Sequence, residues 1–377
     1  MNIAQKTTKF LTIAVIALFT TVNFALNSNE NNQGEEDGGK VNTKSEITAY
    51  IQHHLADSHD FSLFSYTSSE GERKHFGFPL PVIVWTSKGL VTFMSSAFHH
   101  NDDGHVIVEK GGLKFAKIHS KIYELDSNAA TVSFDESHHA TNAHKVLDFS
   151  ITKSVFGILL ASLLIFLGFT KLAKQYKTKA IPTGLGRALE PLVLYVRDEI
   201  ARPNIGEKKY RKFMPYLLTV FFFIWILNLM GLTPFGFNVT GQIAITVCLA
   251  LFTLVVYISN GTKDFWMHTL WMPGVPKLLR PILAVLELAG FLLIKPFSLL
   301  VRLFANITAG HSVVMGIAAL MILLKTQFGT VGATGISFAL TLFLTVIEIL
   351  VAFLQAFIFT MLSALFIGMA VEEHEHH

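Results

Sequence analysis

From Ser154 onward the chain consists of long apolar runs separated by short polar segments, whereas from Phe76 to Phe134 apolar residues come in short groups bounded by turn signals. The first pattern predicts membrane-spanning helices and the second a small antiparallel β domain. Strands are expected at Val82–Trp85, Leu90–Phe93, His105–Val108, Leu113–Ile118 and Ala130–Phe134, with turns at Asp103-Gly104 and Gly111-Gly112. Ahead of them, Ile47, Tyr50, Ile51 and Leu55 recur at helical spacing and predict a short amphipathic helix over Ser45–Leu55.

The apolar runs Ser154–Thr170, Tyr216–Leu232 and Ile243–Ile258 each have the length of one crossing. The last two runs are too long for upright helices. As single helices, Ile282–Leu324 would extend ~65 Å and Ile336–Ala370 ~50 Å at 1.5 Å per residue, against a hydrocarbon core of about 30 Å. They predict an inclined hairpin turning in the Gly-rich stretch Phe328–Gly335, with Pro296 breaking its first limb. On that reading Ile282–Ile294 lies shallowly at the cytoplasmic face and Phe297–Leu324 crosses at a steep tilt. The expected fold class is an α-helical polytopic membrane protein of about five crossings, with an amphipathic surface helix marked by Leu189, Leu192, Val193 and Val196 and a small mostly-β N-terminal domain.

Composition agrees: of 377 residues, 51% are hydrophobic and only 15% charged, which excludes a wholly soluble protein of ordinary make-up. The formal net charge of +3 is small, but the basic residues are concentrated. Lys171, Lys174, Lys177, Lys179, Arg187, Arg197, Arg202, Lys208, Lys209, Arg211 and Lys212 all follow the first span, which marks that side as cytoplasmic. No nucleic-acid face is implied. The N-terminal domain is then expected outside the cytoplasm and the C-terminus inside. Met1–Ala25, with Lys6 and Lys9 before an apolar run, has the form of a secretory signal, and the Gly/Asn/Glu-rich tract after it that of a disordered linker. The expected organisation is residues 1–25 signal peptide, 26–44 linker, 45–150 extracytoplasmic domain and 151–377 membrane domain. The single cysteine, Cys248, excludes an intramolecular disulfide. His54 and His59 stand five apart, which is not the i, i+4 spacing of two ligands on one helical face, and neither a metal nor a cofactor is implied.

Candidate chemistry lies in the hairpin, where Ser298, Arg302 and Asn306 recur every fourth residue and are followed on the same face by the small residues Ala309 and Gly310. A guanidinium at the centre of a membrane helix costs at least roughly 2.5 to 3.5 kcal/mol on the mildest scale, so its presence points to function. Thr308 and His311 follow on the first limb; Glu348 and Gln355, seven apart on one face, are on the second. His311 and Glu348 can both exchange protons, and intramembrane ionisable groups mark ion or proton paths. An Arg302–Glu348 pair could instead be a self-neutralising salt bridge, and Asn306 and Gln355 interhelical hydrogen-bond glue.

The blocks Lys295-Pro-Phe-Ser298-Leu-Leu-Val-Arg302-Leu-Phe-Ala-Asn306-Ile-Thr-Ala-Gly310-His311, Glu348 with Leu354-Gln355-Ala-Phe-Ile-Phe359, Asn228-Leu-Met-Gly-Leu-Thr-Pro234 and the terminal Glu-Glu-His resemble subunit a of F-type ATP synthases over roughly Lys153 to the end. That resemblance implies a non-catalytic subunit in which Arg302 faces a ring of c subunits, with Asn306 and Gln355 beside it. His311 and Glu348 would line the half-channel from the outside. Some members carry a carboxylate at the position of His311 and a histidine at that of Glu348; here the pair is exchanged. The partners implied are the c-subunit ring, the subunit b peripheral stalk, the other ATP synthase subunits and the lipid bilayer of the cell inner membrane. No G-x-x-x-x-G-K-[ST] loop occurs, so nucleotide chemistry belongs elsewhere. From another class comes the alternative of a self-contained secondary transporter or channel whose outer domain binds a metal or solute; the inverted repeats that would favour it are not evident.

Overall fold

The computed structural model describes residues 57–67, 73–99, 101–126, 129, 131–135, 140–178, 181–233, 237–271, 276 and 279–372. The expected signal peptide, linker, Ser45–Leu55 helix and terminal tail from 373 lie outside these residues. The described chain divides into two compact units. The first draws on Met1–Gly157, Met230–Asn238 and Ser312–Leu344, the second on Ile158–Leu229, Val239–His311 and Thr345–His377.

The β strands of the first unit are all antiparallel to their neighbours. β1 (Asp60–Thr67) and β2 (Arg73–Pro79) form a hairpin; β4 (Gly89–Met94), β3 (Pro81–Thr86) and β9 (Leu147–Asp148) form a second sheet; β5 (Asp103–Lys110), β6 (Leu113–Ile118), β7 (Lys121–Leu125) and β8 (Ala143–Lys145) form a third. Alternation sets the core: Val82 and Val84 of β3 are fully buried while Trp85 between them and Thr86 is 56% exposed. They join Phe93, Val108, Phe115 and Ile122 from the facing strands. Gly111 and Gly112 both have positive φ (63° and 68°) and close the expected β5–β6 turn without a Cβ clash.

Two strand expectations are corrected. Of the expected strand Ala130–Phe134, the described residues 131–134 form no ladder, only an isolated Phe134–Ala140 bridge. The Asn142 side chain takes the place of a ladder there, donating to the Thr131 carbonyl at 2.7 Å and accepting from the Ser133 amide at 2.8 Å. Asp103-Gly104 is not a turn but the start of β5, where the register shifts between Asp103 and Ile107 and Gly104 adopts φ 80°. Glycine here permits a bulge.

The helical part follows the apolar runs. α1 is Lys153–Thr178, α2 Leu185–Tyr195, α3 Arg202–Ile205, α4 Tyr210–Gly231, α5 Ile243–Ser259, α6 Lys263–Trp271, α7 Arg280–Ala289 and α8 Lys295–Val371. Among the described residues four apolar stretches are long enough to cross a membrane, Lys153–Thr178, Tyr210–Gly231, Arg280–Gly310 and Val331–Val371; α5 and α6, bent by 102°, make a fifth if taken as one span. The surface-helix stripe falls on α2 and on the π-helical turn Val196–Ala201 that follows it.

Pro296 does not break the hairpin's first limb. A π-helical turn at Gly290–Ile294 precedes it, and the helix continues through it into α8. The wider turn moves the hydrogen-bond ladder by one residue, so the donor Pro296 lacks is the one the Phe291 carbonyl would have received. That carbonyl accepts instead from the phenol of the fully buried Tyr257 at 2.6 Å. The turn between limbs is likewise sharper than the Gly-rich stretch suggests: helical backbone is interrupted at Gly329 alone, with φ 68° and ψ 174°.

Candidate functional site

The first limb of α8 has two unlike faces. Leu299 and Leu303 are each 1% exposed and belong to the apolar core of the second unit. Ser298, Arg302 and Asn306 are exposed, as are the small residues Ala305 and Ala309. The helical period thus turns the polar stripe away from the chain's own interior. Arg302 makes no ion pair among the described residues, so the self-neutralising Arg302–Glu348 bridge is absent there. Of His311 the structure describes the helical backbone alone.

On the second limb Glu348, Ala352, Gln355 and Phe359 follow one stripe that turns inward: Glu348 is half-buried, Ala352 and Gln355 are each 2% exposed and Phe359 3%. Glu348 and Gln355 therefore share a face, as their spacing requires. Glu348 lies against the first limb at Gly310. A Cβ at position 310 would sit 2.9 Å from Glu348 Oε1, so the missing side chain is what admits the carboxylate. Oε1 of Glu348 and Oγ1 of Thr308 are both buried without a hydrogen-bond partner among the described residues, an unusual condition for polar atoms in an apolar interior.

Two further polar groups support this stripe. Asn228 of α4, 3% exposed, donates to the Ala352 carbonyl at 3.4 Å and accepts from the Thr240 hydroxyl at 2.8 Å. Asn228 is conspicuous in the sequence as an amide in an apolar run. Thr240 is not, because nothing local marks its partner. Deeper in the same unit, the Tyr216 phenol meets the Thr253 hydroxyl at 2.7 Å.

The family described as ATP synthase A chain matches residues 155–368. The chain belongs to the ATP synthase A chain family. Its relatives include ATP synthase subunit a of Chlorobium phaeobacteroides (strain BS1), 42% identical over 238 residues that cover 61% of this chain and 68% of that one. ATP synthase subunit a of Myxococcus xanthus (strain DK1622) is 43% identical over 237 residues, 61% of this chain and 76% of its own. With ATP synthase subunit a of Anaeromyxobacter sp. (strain Fw109-5) the identity is 37% over 295 residues, 74% of this chain and 70% of that one. Residues 50–149 match a separate family, Domain of unknown function (DUF8433).

Proposed function

We propose that this chain is the proton-translocating stator subunit of an ATP synthase membrane sector, working against a rotating ring of c subunits in the cell inner membrane. One observation carries the reading: an arginine in the middle of a membrane helix stands on an exposed stripe of serine, asparagine and alanine and has no counter-ion among the described residues. Such a charge requires a partner from outside the chain. A ring carboxylate supplies one.

A cation beside a buried carboxylate favours its ionised form, so each ring carboxylate that reaches Arg302 gives up its proton before passing. The guanidinium's fixed positive charge blocks a direct leak between the two half-channels. Each proton falling through 100 mV contributes about 2.3 kcal/mol, and obligatory rotation sums several such steps toward one ATP. Glu348 and His311 serve the half-channel that opens outside. Ser298 and Asn306 flank Arg302 on its face, and Gln355 orders the second limb. The subunit b stalk and the remaining synthase subunits complete the assembly, and nucleotide chemistry belongs to them rather than to this chain. Residues 45–150 form an extracytoplasmic domain and 151–377 the membrane domain, with 1–25 a cleaved signal, 26–44 a linker and the C-terminus cytoplasmic.

Cross-linking tests the partner. In a Cys248→Ser background, a cysteine replacing Asn306 should form a disulfide with a cysteine placed next to the ring carboxylate, and the product should block rotation. Absence of that cross-link in a complex that retains proton-driven synthesis would contradict the reading.

A further inference from the structure

Between α1 and α4 lies a cavity of about 640 Å³. Its walls are Ile165, Phe166 and Phe169 of α1 and Met214, Leu218 and Phe223 of α4, and Phe166 is 67% exposed. Pro215, also in the wall, has no amide hydrogen for the Arg211 carbonyl one turn earlier. One end of the cavity is polar, formed by Thr170, Tyr210 and Arg211. Arg211 is exposed, and Arg202 reaches the Tyr210 phenol at 3.4 Å.

Length and charge decide the occupant. From Arg211 to Phe223 the helix rises about 18 Å, close to one leaflet, half of a hydrocarbon core about 30 Å thick. The cation therefore stands at headgroup level and the apolar groove ends near the bilayer midplane. Lys171 and Lys174, exposed on the last turns of α1, add positive charge at the same end. Of the acids on this side, Asp198 pairs with Arg197 and Arg202 at 2.8 and 2.9 Å and Glu207 with Arg202 at 3.3 Å, while Glu190 accepts from the Tyr176 phenol. A partner helix fits this shape poorly. It would need a groove through both leaflets, whereas this one, in which Ser162 and Thr219 stand among the apolar side chains, ends near the midplane.

We propose that the α1–α4 groove binds one anionic phospholipid of the leaflet on the Lys/Arg-rich side, an acyl chain on Phe166, Phe169 and Leu218 and the phosphate on Arg211. The apolar walls retain a chain and the guanidinium selects the headgroup.

The test uses the assembled complex, exchanged into nanodiscs containing equal phosphatidylglycerol and phosphatidylethanolamine, with native mass spectrometry of the released subunit. The wild-type chain should retain about one phosphatidylglycerol, about tenfold in excess over phosphatidylethanolamine. Arg211→Ala should lose that excess and Arg211→Lys keep most of it. Phe166→Trp reads the groove without touching the cation: its fluorescence should be quenched by brominated phosphatidylglycerol. Equal retention of the two lipids, an excess unchanged in Arg211→Ala, or a cysteine at position 166 in the Cys248→Ser background cross-linking to another subunit would each overturn the proposal. None of these results bears on rotation, so the site can fail while the stator function stands.

Discussion

A methyl group at position 310 would come within 2.9 Å of Glu348 Oε1, the free end of a flexible side chain, so the substitution should displace the carboxylate rather than the backbone. Gly310→Ala is expected to lower proton-driven ATP synthesis by about tenfold or more, since a displacement on the order of 1 Å at a reacting group can cost a hundredfold. Adding Glu348→Asp, which shortens the side chain, should restore part of the rate. In the β domain, Asp148 accepts from the buried His59 at 2.7 Å and from the Ser150 amide at 2.9 Å. Burial alone would raise its pKa, but the hydrogen bonds from His59 and Ser150 and the His59 charge outweigh burial and hold it below the ordinary carboxylate range. Stability from this pair is therefore present above the unfolded-state value and is lost as pH falls through the depressed native one. Asp148→Asn should lower thermal stability at neutral pH, and the gap from wild type should close as the medium is acidified through that range. A gap that holds constant with pH would contradict this. At this scale the sequence spoke clearly for Arg302, because a charge in an apolar run is costly wherever it points. It could not show that Gly310 makes room for Glu348, since the two meet only when the limbs pack.

The π turn ahead of Pro296 is a second case in which the deciding partner is remote. From sequence, a proline in an apolar run reads as a break, because it removes a hydrogen bond and its ring meets the preceding turn. In the folded chain the turn widens and Tyr257 satisfies the freed carbonyl of Phe291. Tyr257→Phe should leave that carbonyl unpaired and destabilise the membrane unit by about 1–3 kcal/mol, seen as a lowered melting temperature of the detergent-solubilised chain. A melting temperature equal to wild type would refute the compensation. Other elements were legible for the opposite reason. β3, β4 and β6 are short apolar runs bounded by turn residues, and α1 and α4 have lengths fixed by the bilayer. The β1–β2 hairpin is not legible in the sequence, because Asp60–Thr67, DFSLFSYT, intersperses serines with aromatics and lacks a regular period of two.

For the whole molecule, two family matches stand side by side in one chain, the ATP synthase A chain over 155–368 and the domain of unknown function over 50–149. Within the first unit the seam between them is aromatic. Phe237, 3% exposed, from the segment between α4 and α5, lies 5.3 Å from the Phe61 ring of β1 and 6.3 Å from that of Phe156 in α1. Phe237→Ala should cost about 3–5 kcal/mol of local packing and make the β domain more sensitive to protease in the assembled complex, while an unchanged cleavage rate would argue that this seam is not a holding contact. The stator claim itself rests on Arg302, and its most direct test is proton-driven ATP synthesis by the reconstituted complex carrying Arg302→Ala. The expected result is a complex that assembles with its full set of subunits but synthesises no ATP under an imposed proton gradient. Coupled synthesis at an appreciable fraction of the wild-type rate would contradict the account.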